Sequence, residues 1–147
     1  MNIQQLSRYK GTGAEHLVCA DIWFQGYKAY MMPGGVFDVL LNVKNQLIKI
    51  QVKGSSNVQR THNRLVFNTT RGQNMKKFYT TKDIDAWAFV DLIYRKVAYV
   101  PVEECSNQYK FTVNRKDFKQ RSLKVLLENK IGKKKLDLYH ISLVHLS

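Results

Sequence analysis

Three polar side chains near the middle of the chain, Asp38, Gln51 and Lys53, are of types that act together on a phosphodiester. A carboxylate supplies the hard oxygen that small divalent cations prefer, and an amide carbonyl adds a neutral ligand. A lysine ammonium stabilises negative charge that develops on a phosphoryl group. Metal-dependent cleavage of a phosphodiester uses this combination. The surrounding elements must bring the three groups together.

Two alternating segments, Val36 to Val43 and Leu47 to Lys53, predict a pair of antiparallel strands. In the first strand the apolar face consists of Phe37, Val39, Leu41 and Val43, so Asp38 lies on the opposite face. In the second strand the apolar face consists of Ile48, Ile50 and Val52, so the opposite face carries Lys49, Gln51 and Lys53. A two-residue loop at Lys44-Asn45 pairs position 38 with position 51. A three-residue loop would turn Asp38 away. The pattern also suits an ordinary hairpin with a solvated outer face.

A helical pattern from Gly13 to Phe24 places Glu15 on the same stripe as Val18 and Ile22. An acid on a core-facing stripe is costly unless a cation or a metal compensates it. The alternative is a glutamate in the first helical turn that reaches solvent and is favoured by the helix dipole. The residue is therefore a candidate for the same site, and both interpretations stay open.

The order of these residues resembles the PD-(D/E)XK nuclease superfamily, and within it the small intron-associated homing endonucleases and the archaeal Holliday-junction resolvases. The resemblance is carried by Gly13-Ala14-Glu15, Gly26-Tyr27, Asp38 and Gln51-Val52-Lys53, and it extends over about residues 8 to 102, because Asp85 to Val90 and Tyr99 to Pro101 look like later core strands. Two positions depart from the motif. Phe37 stands where the name-giving proline would be, and Gln51 stands where most members have Asp or Glu.

The resemblance implies a role for each site residue. Asp38, Gln51 and the main-chain carbonyl of Val52 would bind Mg²⁺, for which Mn²⁺ can substitute. Lys53 would lie beside the attacking water or a phosphate oxygen, and Glu15 would orient a water molecule. Glu15, Asp38, Gln51 and Lys53 are thus the predicted catalytic residues. A site with two carboxylates and one amide predicts weak metal affinity, with DNA phosphate completing the coordination.

Charge independently predicts a polyanionic partner. The 147 residues contain 24 Lys and Arg against 11 Asp and Glu, which gives a net charge of +13. Positions 39 to 82 contain no acid but nine Lys and Arg residues. Such a segment binds DNA by neutralising phosphates, so binding should weaken with salt. The predicted DNA-binding residues are Lys49, Ser55, Ser56, Arg60, Arg64, Arg71, Lys76 and Lys77.

The length predicts one domain over residues 1–147. The pattern indicates an α/β (α+β) fold, with a mixed central sheet flanked by helices, and the resemblance implies a restriction-endonuclease-like core. Further elements are predicted as a strand at Arg64–Thr70, a basic helix at Gln73–Thr80, a buried strand at Ala86–Ile93, strands at Val97–Val102 and Phe111–Asn114, and a helix at Lys116–Glu128. The segment from Leu136 to Leu146 fits either a helix or a strand.

Four functions are compatible with these observations. The first is a Mg²⁺-dependent DNA endonuclease of the homing type, acting on double-stranded or branched DNA. A Holliday-junction resolvase, a catalytically inactive nucleic-acid-binding module of the same fold and an RNA-binding protein are the others. Cutting both strands of a duplex usually uses two active sites, so a homodimer or homotetramer is expected. The chain lacks an apolar run of about 18 residues and a secretory signal pattern, which predicts no membrane association and a cytoplasmic location.

Overall fold

The computed structural model describes residues 1–59, 63–71 and 77–146, with side chains described as far as residue 140. Its helices are α1 (Ile3–Phe24), α2 (Leu123–Ile131) and α3 (Lys133–Leu146), with 3-10 helices at Val102–Cys105 and Arg115–Arg121. The strands are β1 (Lys28–Met31), β2 (Val39–Val43), β3 (Gln46–Ser55), β4 (Val58–Gln59), β5 (Arg64–Asn68), β6 (Thr70–Arg71), β7 (Lys77–Phe78), β8 (Ala86–Asp91), β9 (Lys96–Pro101) and β10 (Lys110–Asn114).

The central sheet has five strands in the order β1-β2-β3-β8-β9. Strands β3 and β8 are parallel, and the other neighbours are antiparallel. Two small antiparallel sheets, β10-β5-β4 and β6-β7, accompany it. The predicted mixed sheet flanked by helices is confirmed. In the described part of the chain, no helix combines the length and the hydrophobicity that crossing a membrane requires.

The hairpin between β2 and β3 has the predicted two-residue loop. Val43 pairs with Gln46, and the loop residues Lys44 and Asn45 have φ values of 49° and 68°. Two consecutive left-handed residues are typical of a type I′ turn, whose twist matches that of the strands. The side-chain Oδ1 of Asn42 accepts a hydrogen bond from the Asn45 N–H at 2.9 Å. This turn sets the register of the whole hairpin.

Two hydrophobic cores are formed, and β8 and β9 contribute to both. In the first core, Val39, Leu41, Ile48 and Ile50 pack with residues of α1, α2 and α3. The second core contains Trp87 and Phe89 of β8, whose rings stack with centroids 5.5 Å apart, together with residues of β5 and β10. Gln51 and Lys53 pair in register with Trp87 and Phe89. In paired strands, residues in register share a face, so these two polar side chains lie on the face of the second core.

The first helix begins ten residues earlier than predicted, at Ile3. Asn2 caps it through its Oδ1, which accepts the Gln5 N–H at 2.9 Å, while the Gln5 side chain accepts the Asn2 N–H. This reciprocal capping box is a recognisable start signal. Gly11 and Gly13 obscure it, because glycine in a helix interior is unfavourable. The residues of α1 up to Gly13 are all exposed, so this part of the helix has no core-facing pattern.

Three other predicted elements differ from the structure. The first hairpin strand begins at Val39, because the chain bends before it, and Phe37 packs against the second core instead of sharing a face with Val39. Within the predicted helix at 73–80, Lys77 and Phe78 form a strand, and residues 73–76 lie outside the described part. The predicted helix at 116–128 is divided at Ser122, whose Oγ accepts the Val125 N–H at 3.3 Å and caps α2.

Candidate active site

Asp38 is held at the beginning of β2 by three hydrogen bonds. Its N–H donates to the Ile50 carbonyl at 3.0 Å, and its carbonyl accepts from the Met32 N–H at 2.9 Å. Its carboxylate Oδ2 accepts from the Val52 N–H at 2.9 Å. The register Val39–Ile50, continued by one residue, places Asp38 opposite Gln51. The carboxylate is therefore fixed against β3 before any ligand binds.

Glu15 reaches Asp38 from α1. Burial raises the pKa of the Glu15 carboxyl from its usual 4.5 to about 7, and the nearby charge of Asp38 and a hydrogen bond to the Asp38 side chain contribute further. The neighbouring Ala14 and Val18 are buried in the first core and fix the orientation of this helical turn. The Glu15 carboxyl therefore keeps its proton to a higher pH than a free glutamate does, since burial and a neighbouring negative charge both disfavour its ionised form.

Gln51 is 8% exposed, and its side-chain Oε1 is buried without a hydrogen-bond partner among the described residues. Trp87, which pairs with it in register, also has a buried Nε1 that lacks a partner there. A buried carbonyl oxygen without a partner is costly. A ligand or water molecule that contacts Oε1 would remove this cost.

Lys53 lies two residues further along β3. Burial lowers the pKa of its ammonium, and the charge of Asp38 opposes that shift. The carboxylate of Asp38 therefore interacts electrostatically with both Glu15 and Lys53. The structure brings these three residues to one place, and the register brings Gln51 beside them.

Asp38 and Gln51, with Glu15 beside them, fit a divalent cation. Burial and the charge of Asp38 disfavour the ionised form of Glu15, which a cation would stabilise, and the Gln51 Oε1 is an acceptor without a donor among the described residues. Oxygen ligands of these types are those that Mg²⁺ prefers. No third acid, histidine or cysteine completes a metal-binding group with them in the described ranges. The carbonyl of Val52 stays a predicted ligand.

The predicted DNA-binding residues are spread over several elements. Arg64 and Lys77 are exposed, and Ser56 is exposed at the end of β3. Ser55 is buried, and its Oγ accepts the Asn57 N–H at 3.0 Å. The ammonium Nζ of Lys49 donates to the Lys82 carbonyl at 2.9 Å. Arg60 and Lys76 lie outside the described residues, and contact of any of these side chains with DNA stays a prediction.

Tyr79 is a neighbour of the site that the sequence interpretation missed. Its ring packs edge-on against Trp87 with centroids 4.9 Å apart, and the Arg71 guanidinium lies 5.5 Å from its centroid. Burial raises the pKa of the Tyr79 phenol, and the charge of Asp38 adds to the shift. Arg71 also pairs with Asp83, with Nη2 and Oδ1 3.6 Å apart. No local pattern indicated this, because the phenol approaches Asp38 through long-range packing.

Two solved structures are similar to this chain, and the first of them shares its fold. A bacterial homing endonuclease, I-Ssp6803I, is 20% identical, with a TM-score of 0.68 and coverage of 87% of this chain and 94% of that chain. Hjc, a Holliday junction resolvase from the archaeal hyperthermophile Archaeoglobus fulgidus, is 13% identical, with a TM-score of 0.48 and coverage of 76% and 88%. No curated protein matches the sequence. The model of the PD-(D/E)XK endonuclease family matches residues 6–129. The chain therefore belongs to the PD-(D/E)XK endonuclease family.

Proposed function

We propose that the protein is a Mg²⁺-dependent endonuclease of DNA, of the homing type, with Glu15, Asp38, Gln51 and Lys53 as its catalytic residues. The observation that carries the proposal is the contact of the Glu15 and Asp38 carboxyl groups beside Lys53. The Gln51 Oε1, which has no partner within the described part of the chain, lies across the register. Family membership supports phosphodiester cleavage. The fold shared with a bacterial homing endonuclease supports the homing type.

Each residue has a distinct task. Asp38, Gln51 and the Val52 carbonyl would hold the cation, which when bound would polarise the phosphodiester and lower the pKa of a water molecule. The Lys53 ammonium stabilises the charge that develops on the phosphoryl oxygens. Glu15 in its ionised form orients the attacking water and accepts its proton. Because burial and Asp38 raise its pKa to about 7, Glu15 can exchange a proton near neutral pH.

The substrate is proposed to be duplex or branched DNA. A net charge of +13 provides the electrostatic attraction to a polyanion. The acid-free segment at 39–82 surrounds Gln51 and Lys53 in the sequence. Cleavage of both strands would use two copies of the site, so we propose a homodimer or homotetramer.

Cleavage assays with three DNA forms test the proposal. Labelled linear duplex, nicked duplex and four-way junctions are incubated with and without Mg²⁺ at two salt concentrations. We expect Mg²⁺-dependent cleavage that falls at least about 100-fold in Asp38→Asn and Lys53→Gln, a typical loss for a group that stabilises the transition state, while DNA binding is retained. Exposed residues provide matched controls, Asp137→Asn on α3 and Lys28→Gln on β1. Cleavage that survives both site substitutions would refute the assignment.

A catalytically inactive binding module of the same fold is the second candidate. It is favoured by Gln51, which replaces the second acid of the family motif with a neutral group. This candidate predicts intact DNA in every Mg²⁺ reaction, together with salt-sensitive binding. Cleavage restricted to four-way junctions would instead identify a junction resolvase.

A further inference from the structure

The turn between β8 and β9 is built on a buried ion pair. Asp91 is 2% exposed, and its Oδ2 lies 2.8 Å from the Nε of Arg115. Its Oδ1 accepts the N–H groups of Ile93 and Tyr94 at 2.9 Å and 3.2 Å. The Nη1 of Arg115 donates to the Asn63 Oδ1 at 3.1 Å. A buried carboxylate tolerates this position because an arginine and two backbone donors satisfy it.

This ion pair orients an exposed aromatic ring. The Arg115 guanidinium lies over the ring of Tyr94, 4.5 Å from its centroid, while Tyr94 is 63% exposed. One face of the ring is thus occupied by a cation that Asp91 holds in place. An exposed ring that is fixed in this way is preorganised for stacking, since little side-chain entropy remains to be lost on binding.

Three lysines line the cavity that the Tyr94 ring borders. A cavity of about 470 Å³ is lined by Tyr94, Arg115, Lys96, Lys116 and Lys119, among others. Asp91, which also lines it, is compensated by Arg115. Among the described residues none of the three lysines forms an ion pair. The cavity therefore combines positive charge with a planar apolar surface, the combination with which proteins bind single-stranded nucleic acid.

We propose that this cavity is an accessory site for an unpaired nucleotide of DNA, whose base stacks on Tyr94 and whose flanking phosphates contact Lys96, Lys116 and Lys119. The inference rests on the proposed function, because it takes DNA as the substrate. Unpaired bases occur at single-stranded overhangs and gaps. The site would therefore favour DNA that carries such features over intact duplex.

Binding measured in EDTA tests the site separately from cleavage. Fluorescence anisotropy compares a blunt duplex with the same duplex carrying a short single-stranded overhang. We expect Tyr94→Ala to weaken overhang binding by about 5- to 150-fold, the range for loss of one stacked base, with little change for blunt duplex. Tyr94→Phe keeps the ring and should bind as the unchanged protein does. Tyr30→Ala, on the opposite edge strand β1, is the matched control because Tyr30 is also exposed.

The contribution of the three lysines to DNA binding is tested in a triple variant in which Lys96, Lys116 and Lys119 are each changed to glutamine. The slope of log affinity for single-stranded DNA against log salt should fall in magnitude by about 2, since each phosphate contact to a single strand contributes about 0.7. An effect of Tyr94→Ala no larger than that of Tyr30→Ala, or an equal loss for blunt and overhang DNA, would overturn the inference. Loss of cleavage in Asp38→Asn with these binding results unchanged would separate the two proposals, because the accessory site needs no metal.

Discussion

Replacing Asp38 with asparagine should lower the pKa of Glu15. Asp38 raises that pKa through its charge and through a hydrogen bond, whereas burial, which is the largest cause, remains in the variant. The pKa should therefore fall from about 7 part of the way towards 4.5. Carbon-detected NMR titration of the side-chain carboxyl in EDTA measures this directly, and Asp137→Asn on α3 is the control.

The raised pKa also determines how Mg²⁺ binding depends on pH. With a pKa of about 7, Glu15 is about half protonated at pH 7, so Mg²⁺ binding should release about half a proton there. The ionised fraction rises about tenfold between pH 6 and pH 8, and the apparent Mg²⁺ affinity should rise with it by up to about the same factor, because the ionised Glu15 attracts the cation. Calorimetry in buffers of different ionisation enthalpy measures the proton release. The absence of proton release at pH 7 would contradict the account.

The Glu15 carboxyl should also make the free energy of unfolding depend on pH, but this free energy falls as the pH rises, whereas the Mg²⁺ affinity rises. Between pH 4.5 and about 7, Glu15 of the folded chain holds a proton that the unfolded chain has lost. The stability contributed by this proton is therefore complete below pH 4.5 and is lost as the pH rises through 7. Asp38→Asn should reduce the slope of the free energy of unfolding against pH, measured by urea denaturation without metal. A Glu15 pKa near 4.5 in the unchanged protein, or the same pKa in Asp38→Asn, would refute the reasoning.

Three further substitutions have defined outcomes. Gln51→Glu adds a third carboxyl group to those of Glu15 and Asp38, so the Mg²⁺ concentration for half-maximal binding should fall about tenfold. The free energy of unfolding by urea in EDTA should also fall, because the new carboxylate is buried. Unchanged Mg²⁺ binding would remove Gln51 from the ligand set. Asp91→Ala leaves the Arg115 guanidinium without its carboxylate. The free energy of unfolding measured by urea denaturation should fall by about 3–5 kcal/mol. A fall of less than about 1 kcal/mol would contradict the role of this pair. Tyr99→Phe removes the hydrogen bond from its hydroxyl to Asp21 Oδ2, which is 2.6 Å long, and should cost about 1–3 kcal/mol in thermal denaturation; a more stable variant would show that this bond contributes nothing.

Local patterns were sufficient for the hairpin that carries the site. The alternation of apolar residues on both strands, together with a two-residue connection, predicted that Asp38 lies across from Gln51, and the observed register agrees. A slip by one residue would bury the polar face, so this register has little freedom. The apolar run that begins at Ala86 likewise identified β8, all of whose residues are buried.

Local patterns failed where no apolar periodicity marks an element. The exposed half of α1 has no buried face, and its start depends on the cap at Asn2. The predicted helix at 116–128 combined two segments that Ser122 separates. Propensity and periodicity describe neighbours in sequence, and a cap or a bend interrupts them within one residue.

The sequence by itself determined the faces of the hairpin, the apolar central strand and the positive charge, because each depends on residue type or on spacing within one element. Only the tertiary structure decided which groups meet across elements. Examples are the contact of Glu15 with Asp38, the approach of Tyr79 to that carboxylate, and the pairing of Asp91 with Arg115. These contacts join residues 23 or more positions apart, and their partners are selected by the parallel pairing of β3 with β8 and by the packing of the two cores.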